Sequence, residues 1–184
     1  MHLVLTENIT LDGVVDGSGG WFGPAGDDPA DQSDVEAELR RHMARQDGLL
    51  LGRVTFEEFR SYWPAQTDDA TGITDHLNRV HKYVVSTSLD DPGWDPTTVL
   101  RGPLVDEVRA LREAPGGELG VTGSIAVAHQ LIEAGLVDEY RLFVYPVVIG
   151  SGRRLFVEGI DRLDLRLDRA TTFRSGITLL VYRS

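Results

Sequence analysis

The stretch LLLGRVTFEEF, Leu49 to Phe59, runs three leucines into a glycine, an arginine and a pattern that begins a helix. Three consecutive leucines closed by glycine read as a short buried strand. Thr55 and Glu58 have the spacing of a capping box, so a helix is expected to start at Thr55 with its unpaired amides facing the strand end. Gly52 allows close backbone approach there, and Arg53 offers a planar fork of donors that suits a phosphate. Taken alone, the junction reads equally well as a capped turn.

Two more junctions carry compatible chemistry. In VVSTS the hydroxyls of Ser86, Thr87 and Ser88 follow a strand, and in GGELGVTGSIA a strand passes through Thr122 and Gly123 into a helix whose cap is Ser124. Glycine, hydroxyl and helix N-terminus together favour an anion. Each has a local alternative, because strand-end hydroxyls commonly satisfy nearby backbone groups. Their occurrence at three successive crossover junctions favours a ligand, since open α/β sheets bind ligands beyond the carboxyl ends of their strands. The first strand leads into TLDGVVDGSGGWFGP, which lacks G-x-G-x-x-G, so a dinucleotide would require a fold other than the Rossmann one.

Outward from these junctions, apolar runs alternate with helical patterns, the rhythm of an α/β sheet with crossover helices. Strands are expected at residues 2–9, 48–51, 83–86, 99–100, 119–122, 140–148, 163–172 and 177–182. Helices are expected over 34–46, with Ser33 and Glu36 as a capping box and Val35, Leu39 and Met43 as the buried stripe, and over 104–113 and 125–134, the latter closed by Gly135. The last two strands flank Phe173-Arg174-Ser175-Gly176 and predict an antiparallel hairpin on a mostly parallel sheet. The chain reads as one domain, residues 1–184, with 12–31 as a long loop of a length that is often functional.

Composition narrows the chemistry. The 184 residues carry 29 acidic against 18 basic side chains, a formal charge of −11 that disfavours nucleic acid and anionic membrane as partners. The absence of cysteine removes disulfides, thiolate zinc sites and thiol nucleophiles. His2, His42, His76, His81 and His129 show no metal-ligand spacing, and VTGSIAV lacks the hydrolase elbow. MHLVLTENIT reads as a first strand and not as a leader peptide, and no run is long enough to span a membrane. The expected compartment is the cytoplasm.

With these residues assembled, the chain resembles the dihydrofolate reductase-like proteins, particularly the branch related to the C-terminal reductase domain of the bacterial riboflavin-biosynthesis deaminase-reductase. TLDG, LLLGRVTFEEF, KYVVSTSL and GELGVTGSIAVAHQLIEAGLVDEYRLFVYPVVIGSGRRLF carry the resemblance in order along the chain. It implies a three-layer α/β/α fold, NADPH as hydride donor, a small C=N or C=O substrate, and a homodimer. It also implies that Gly52, Arg53 and Thr55 meet the adenosine phosphate and pyrophosphate, that Ser86 and Thr87 close on the 2′-phosphate side, and that Gly123 and Ser124 open the pyrophosphate helix. A nucleotide-binding protein without turnover is the alternative.

The substrate half has fewer markers. Asp12 in TLDG is similar to the aspartate of the branch's S-x-D-G pattern, beside nicotinamide and substrate, but also suits an Asp-Gly turn. Glu36 and Asp34 on the first helix, and Asp27 and Asp28 before it, are the nearest carboxylates to a pterin-holding acid, and Glu36 doubles as the capping-box acid. Trp21 is expected either to cover the active site or to anchor its loop. Gly150 and Gly152 mark a bulge or tight turn. The riboflavin pattern's serine is replaced by Ile9 or Thr10, and a zinc deaminase domain is not expected within these residues. The apolar run YRLFVYPVVIG suits either a dimer interface or a central strand.

Overall fold

The computed structural model describes residues 1–17, 20–22 and 31–184. In chain order the elements are β1 (His2–Thr10), α1 (Ser33–Met43), β2 (Gln46–Gly52), α2 (Arg53–Tyr62), a 3₁₀ turn (Trp63–Ala65), α3 (Ile73–Arg79), β3 (His81–Val85) and β4 (Thr97–Leu100). They continue with α4 (Leu104–Glu113), β5 (Glu118–Val121), α5 (Ile125–Glu133), β6 (Glu139–Tyr145), β7 (Arg166–Thr172) and β8 (Thr178–Arg183). The eight strands form one sheet in the order β4-β3-β2-β5-β1-β6-β8-β7. β4 through β6 run parallel, and β8 and β7 close the sheet as an antiparallel hairpin.

Strand alternation sorts the core onto two faces. Leu3, Leu5, Leu50, Leu119 and Val121 pack with Val108 of α4 and with Ala128 and Leu131 of α5. On the other face, Leu49, Leu51 and Phe56 pack with Leu77 of α3, while Val35 of α1 packs with Phe143 and Leu179. Helices therefore cover both faces, which is why the inner strands read as nearly continuous apolar runs. The same holds for YRLFVYPVVIG. β6 lies between β1 and β8, its first five residues are buried, and it ends before Pro146, which has no N–H for the ladder. Burial on both faces accounts for the run as far as Phe143, whereas Val148 beyond the strand is 65% exposed.

Several boundaries differ from the sequence expectation. α2 starts at Arg53 with Gly52 as its N-cap, so Thr55 sits inside the first turn and caps nothing. α1 starts at Ser33 behind Gln32, without a side-chain cap, and the Ser33 hydroxyl instead accepts from Arg174 Nη2 at 2.6 Å. The Ser33–Glu36 box is thus displaced by a tertiary contact. α1 ends at Met43, and Gln46 already belongs to β2. α3 was not foreseen. It is seven residues long and opens behind Gly72, where Asp69 accepts the amides of Thr71 and Thr74 at 2.9 and 2.7 Å. β7 starts at Arg166, and Leu163 and Leu165 pack against the core before the strand begins. Gly135 behaves as read, with φ 61°, its amide bonded to Ile132 O and that of Leu136 to Leu131 O.

Beneath the α1 face lies a buried ionic cluster. Arg141, 1% exposed, donates through Nη1 and Nη2 to Glu118 at 2.8 Å each and through Nε to Glu139 at 2.7 Å. Removing one partner of such a pair leaves buried charge uncompensated, whereas removing all of it relieves desolvation. Arg141→Met is expected to cost about 3–5 kcal/mol in urea denaturation. Replacing Glu118 and Glu139 by Gln in the same chain should recover part of that loss, and a triple variant no more stable than the single one would show that packing, and not charge, sets the cost.

Candidate functional site

Insertion of β5 between β2 and β1 brings the β2–α2 and β5–α5 junctions side by side at the carboxyl edge of the sheet. The Gly52 amide donates to Gly123 O at 3.3 Å. A Cβ on Gly52 would stand 2.5 Å from Ser124 Oγ, and one on Gly123, at φ 132°, would stand 3.1 Å from Thr55 Oγ1. Side chains are excluded at both positions, so two helix N-termini meet there with the Ser124 and Thr55 side chains packed against bare glycine backbone. Neither α2 nor α5 receives a side-chain cap. Convergent free amides and helix dipoles suit a pyrophosphate. The residues therefore fit the phosphate portion of a dinucleotide.

Arg53 is the first residue of α2, where a cation opposes the helix dipole, and its Nη1 bonds Glu57 Oε2 at 2.7 Å on the exposed surface. Ser86 is buried and its Oγ accepts from the amides of Ser88 and Leu89 at 3.2 and 3.0 Å, so that hydroxyl shapes its own turn. Thr87 is exposed at the same strand end. Beside it stands a residue that sequence reading passed over. Arg101, just past β4, donates to Leu89 O at 2.8 Å and Thr87 O at 3.4 Å. Only the pairing of β4 with β3 reveals it, because VLRGP by itself reads as a strand end.

From these junctions a cavity of about 660 Å³ opens on the α1–α3 face. Thr122, one residue before Gly123, lines it, so cavity and cradle are contiguous. Thr6 and Asn8 of β1 form its floor with Thr122, and Phe143, Tyr145, Phe59, Tyr62 and Trp63 supply aromatic walls. Trp21 lines it too. Its ring meets Tyr145 edge-on at 5.2 Å and its Nε1 donates to Asp16 O at 2.8 Å, so the indole is anchored where it lines the cavity. Asp27 and Asp28 lie outside the described residues.

These features agree with the comparisons to known proteins. Residues 1–179 match the RibD C-terminal domain. The chain belongs to that family. Two uncharacterized Bacillus subtilis proteins of strain 168 align along nearly their whole length with this RibD C-terminal domain protein. YyaP is 28% identical, covering 98% of this chain and 94% of its own, and YwjB is 25% identical, covering 98% and 97%. Among solved structures, a putative riboflavin biosynthesis protein from Shewanella sp. PV-4 superposes with a TM-score of 0.71 at 21% identity, over 100% of this chain and 98% of that one. A pyrimidine reductase-like protein from Corynebacterium diphtheriae gives 0.67 at 18%, over 99% and 91%. The last two likenesses establish the fold.

In this RibD C-terminal domain neither of the two carboxylates singled out from sequence is among the residues that line the main cavity. Asp12 accepts from Thr10 Oγ1 at 2.7 Å, from the Gly150 amide at 2.8 Å and from that of Ile149 at 3.3 Å, and lies 3.6 Å from Arg154. Those bonds, the Thr10 hydroxyl first, hold its carboxyl down to about 2, so it carries no proton at neutral pH. It ties the turn after β1 to the loop at 147–154. Glu36 lines a neighbouring pocket that shares Tyr62 and Trp63 with the main cavity and lies 3.8 Å from Arg40. Asp34 accepts from the Arg174 amide at 3.0 Å, and this bond lowers its pKa.

Glu7, which sequence reading left inside β1, is buried, as are Glu38 and Glu139. Alternation places the Glu7 side chain with Leu3, Leu5 and Ile9 on the α4–α5 face. Burial pushes its carboxyl up to about 8, and Oε1 has no hydrogen-bond partner among the described residues. His42 and His76, on the cavity side, are pushed down to about 4, chiefly by desolvation. His42 Nε2 bonds Glu38 Oε1 at 2.9 Å and His76 Nε2 bonds Gln46 Oε1 at 2.8 Å.

Two predictions follow from these groups. Between about 4 and 6.5 the unfolded chain binds protons that the two folded histidines refuse, so stability rises with pH. Between 4.5 and about 8 folded Glu7 keeps a proton the unfolded chain has lost, so stability falls as pH rises. Above 6.5 the second effect dominates until Lys82, which burial lowers to about 8, begins to titrate, and stability should decline by on the order of 1 kcal/mol from pH 6.5 to 7.5. Urea midpoints across that window should be flat for Glu7→Gln, and an unchanged decline would rule Glu7 out as its source. Asp12→Asn should lower the thermal midpoint and speed amide exchange at Ile149 and Gly150, because the new NH₂ group cannot accept. Unaltered exchange there would contradict the tethering role.

Proposed function

We propose that the protein is an NADPH-dependent reductase acting on a C=N or C=O bond of a small ring compound. The observation that carries this reading is the meeting of two uncapped helix N-termini, α2 and α5, at glycines 52 and 123, with Thr122 leading directly into the 660 Å³ cavity. Membership of the RibD C-terminal domain family supports a reductase, and the neighbour named as pyrimidine reductase-like agrees. NADPH would supply the hydride. The chain would hold its pyrophosphate on the α2 and α5 amides and its 2′-phosphate with Arg53, Thr87 and Arg101, while the aromatic walls exclude water and align the substrate. A homodimer belongs to the same proposal on the strength of the family resemblance.

A second reading has one observation in its favour. Asp12 and Glu36 both stand outside the cavity's chemistry, which suits a binding protein that does not turn over. Titration calorimetry with NADPH and NADH, followed by a carbonyl and imine panel monitored at the nicotinamide absorbance, separates the two. Arg53→Ala is expected to weaken NADPH about ten- to hundred-fold, or roughly 1.5–3 kcal/mol, and NADH much less. Equal losses for both would show that Arg53 does not read the 2′-phosphate. NADPH binding without oxidation on any substrate would select the binding protein.

A further inference from the structure

The cavity's polar groups have a definite character. Thr6 and Asn8 on β1 alternate to the cavity side, and Thr122, one residue past β5, lines the same cavity, the register Leu5 with Val121 placing it next to Thr6. None of the three side chains makes a hydrogen bond to another described residue, although each is only half-exposed. At the inner wall, His42 donates from Nε2 to the Glu38 carboxylate, which leaves Nδ1 as an acceptor, buried and without a donor. Half-buried polar groups without partners at the floor of an apolar, aromatic pocket are the arrangement by which ligand sites fix orientation.

Charge decides what such a ligand is. No lysine or arginine is among the described residues that line the cavity, and residues 18, 19 and 23–30 contain none by sequence. Glu58 at the rim adds negative charge, with its side chain unpaired among the described residues. An anion moved into such a pocket would lose hydration with no cation to replace it. An uncharged ring loses little and gains aromatic contact.

We propose that the substrate pocket takes an uncharged planar heterocycle bearing neighbouring hydrogen-bond donors and acceptors, held by Thr6, Asn8 and Thr122, and rejects phosphorylated or carboxylated analogues. This rests on the cavity being the substrate half of the reductase site proposed above. It sets the protein's substrate apart from any sugar-phosphate-bearing ring, since the phosphate would have no partner.

The test uses the full-length protein and follows tryptophan emission, because Trp21 and Trp63 line the cavity. The probes are quinazolin-4-one and pyrimidin-2-one, each matched with an analogue bearing a carboxylate or a phosphate. The neutral compounds should bind saturably and at least ten-fold more tightly than the matched anions. Asn8→Ala and Thr122→Val should each weaken them about five-fold or more with melting temperatures close to wild type, and Asn8→Ala should leave NADPH affinity unchanged. Glu58→Lys should narrow the gap between neutral and anionic probes, a change that damaged folding would not produce. Anions binding as well as the neutral rings, no saturable binding by either neutral ring, or floor variants without effect would each overturn the proposal. NADPH titrations run in parallel keep the two readings apart. Neutral-ring binding without NADPH binding sinks the reductase and spares the pocket, and NADPH binding with anion preference does the reverse.

Discussion

The close approach of Gly52 to Ser124 is the constraint on which the site depends. Gly52 ends β2 and Ser124 is the N-cap of α5 just past β5, and they meet only because β5 enters the sheet between β2 and β1. A side chain at Gly52 would collide with the Ser124 hydroxyl at 2.5 Å, and one at Gly123 would crowd Thr55. Keeping those positions bare lets α2 and α5 direct their first amides to one place, and two helix dipoles acting on one anion achieve more than either alone. The aromatic cavity then begins where the cradle ends, at Thr122.

Ionic groups are distributed so that this region stays open. Asp12, with bonds to Thr10, Ile149 and Gly150 and Arg154 beside it, fastens the loop after β1 to the loop after β6, and Arg153 repeats the link to Asp16 at 2.9 Å. Below the cavity, Arg141 is neutralised by Glu118 and Glu139, while Glu38 receives Arg41, His42 and Arg169. On that face Arg141 already has its carboxylates and the buried Lys82 donates to the carbonyls of Leu77 and Val80, so neither remains to serve a ligand. The histidines beside the cavity stay neutral for the same reason that Glu7 stays protonated on the opposite face, because burial penalises whichever form is charged.

Local sequence was a good guide wherever a residue's partner lies close along the chain. The strand before Gly52, the Gly135 cap and the terminal hairpin could all be read, because hydrophobic period and backbone conformation are local properties. The capping boxes could not, although their spacing was right. Ser33 is drawn to Arg174 and Thr55 lies inside its helix, since a contact from the far end of the chain or a strand running straight into a helix outweighs a bond worth about 1 kcal/mol. The short α3 escaped notice because seven residues give too little period to detect.

The sequence by itself determined the alternation of strands and helices, the three glycine or hydroxyl junctions and the family to which the chain belongs. Tertiary structure alone decided which junctions meet, that Asp12 is a tether, that Glu36 lies outside the main cavity, and that Arg101 stands beside Thr87. It also decided that Thr6, Asn8 and Thr122 share one unpartnered floor. The physical reason is that strand order, set by how the whole sheet buries its two faces, is not encoded in any window of residues, whereas the meaning of a polar side chain depends on what strand order places beside it.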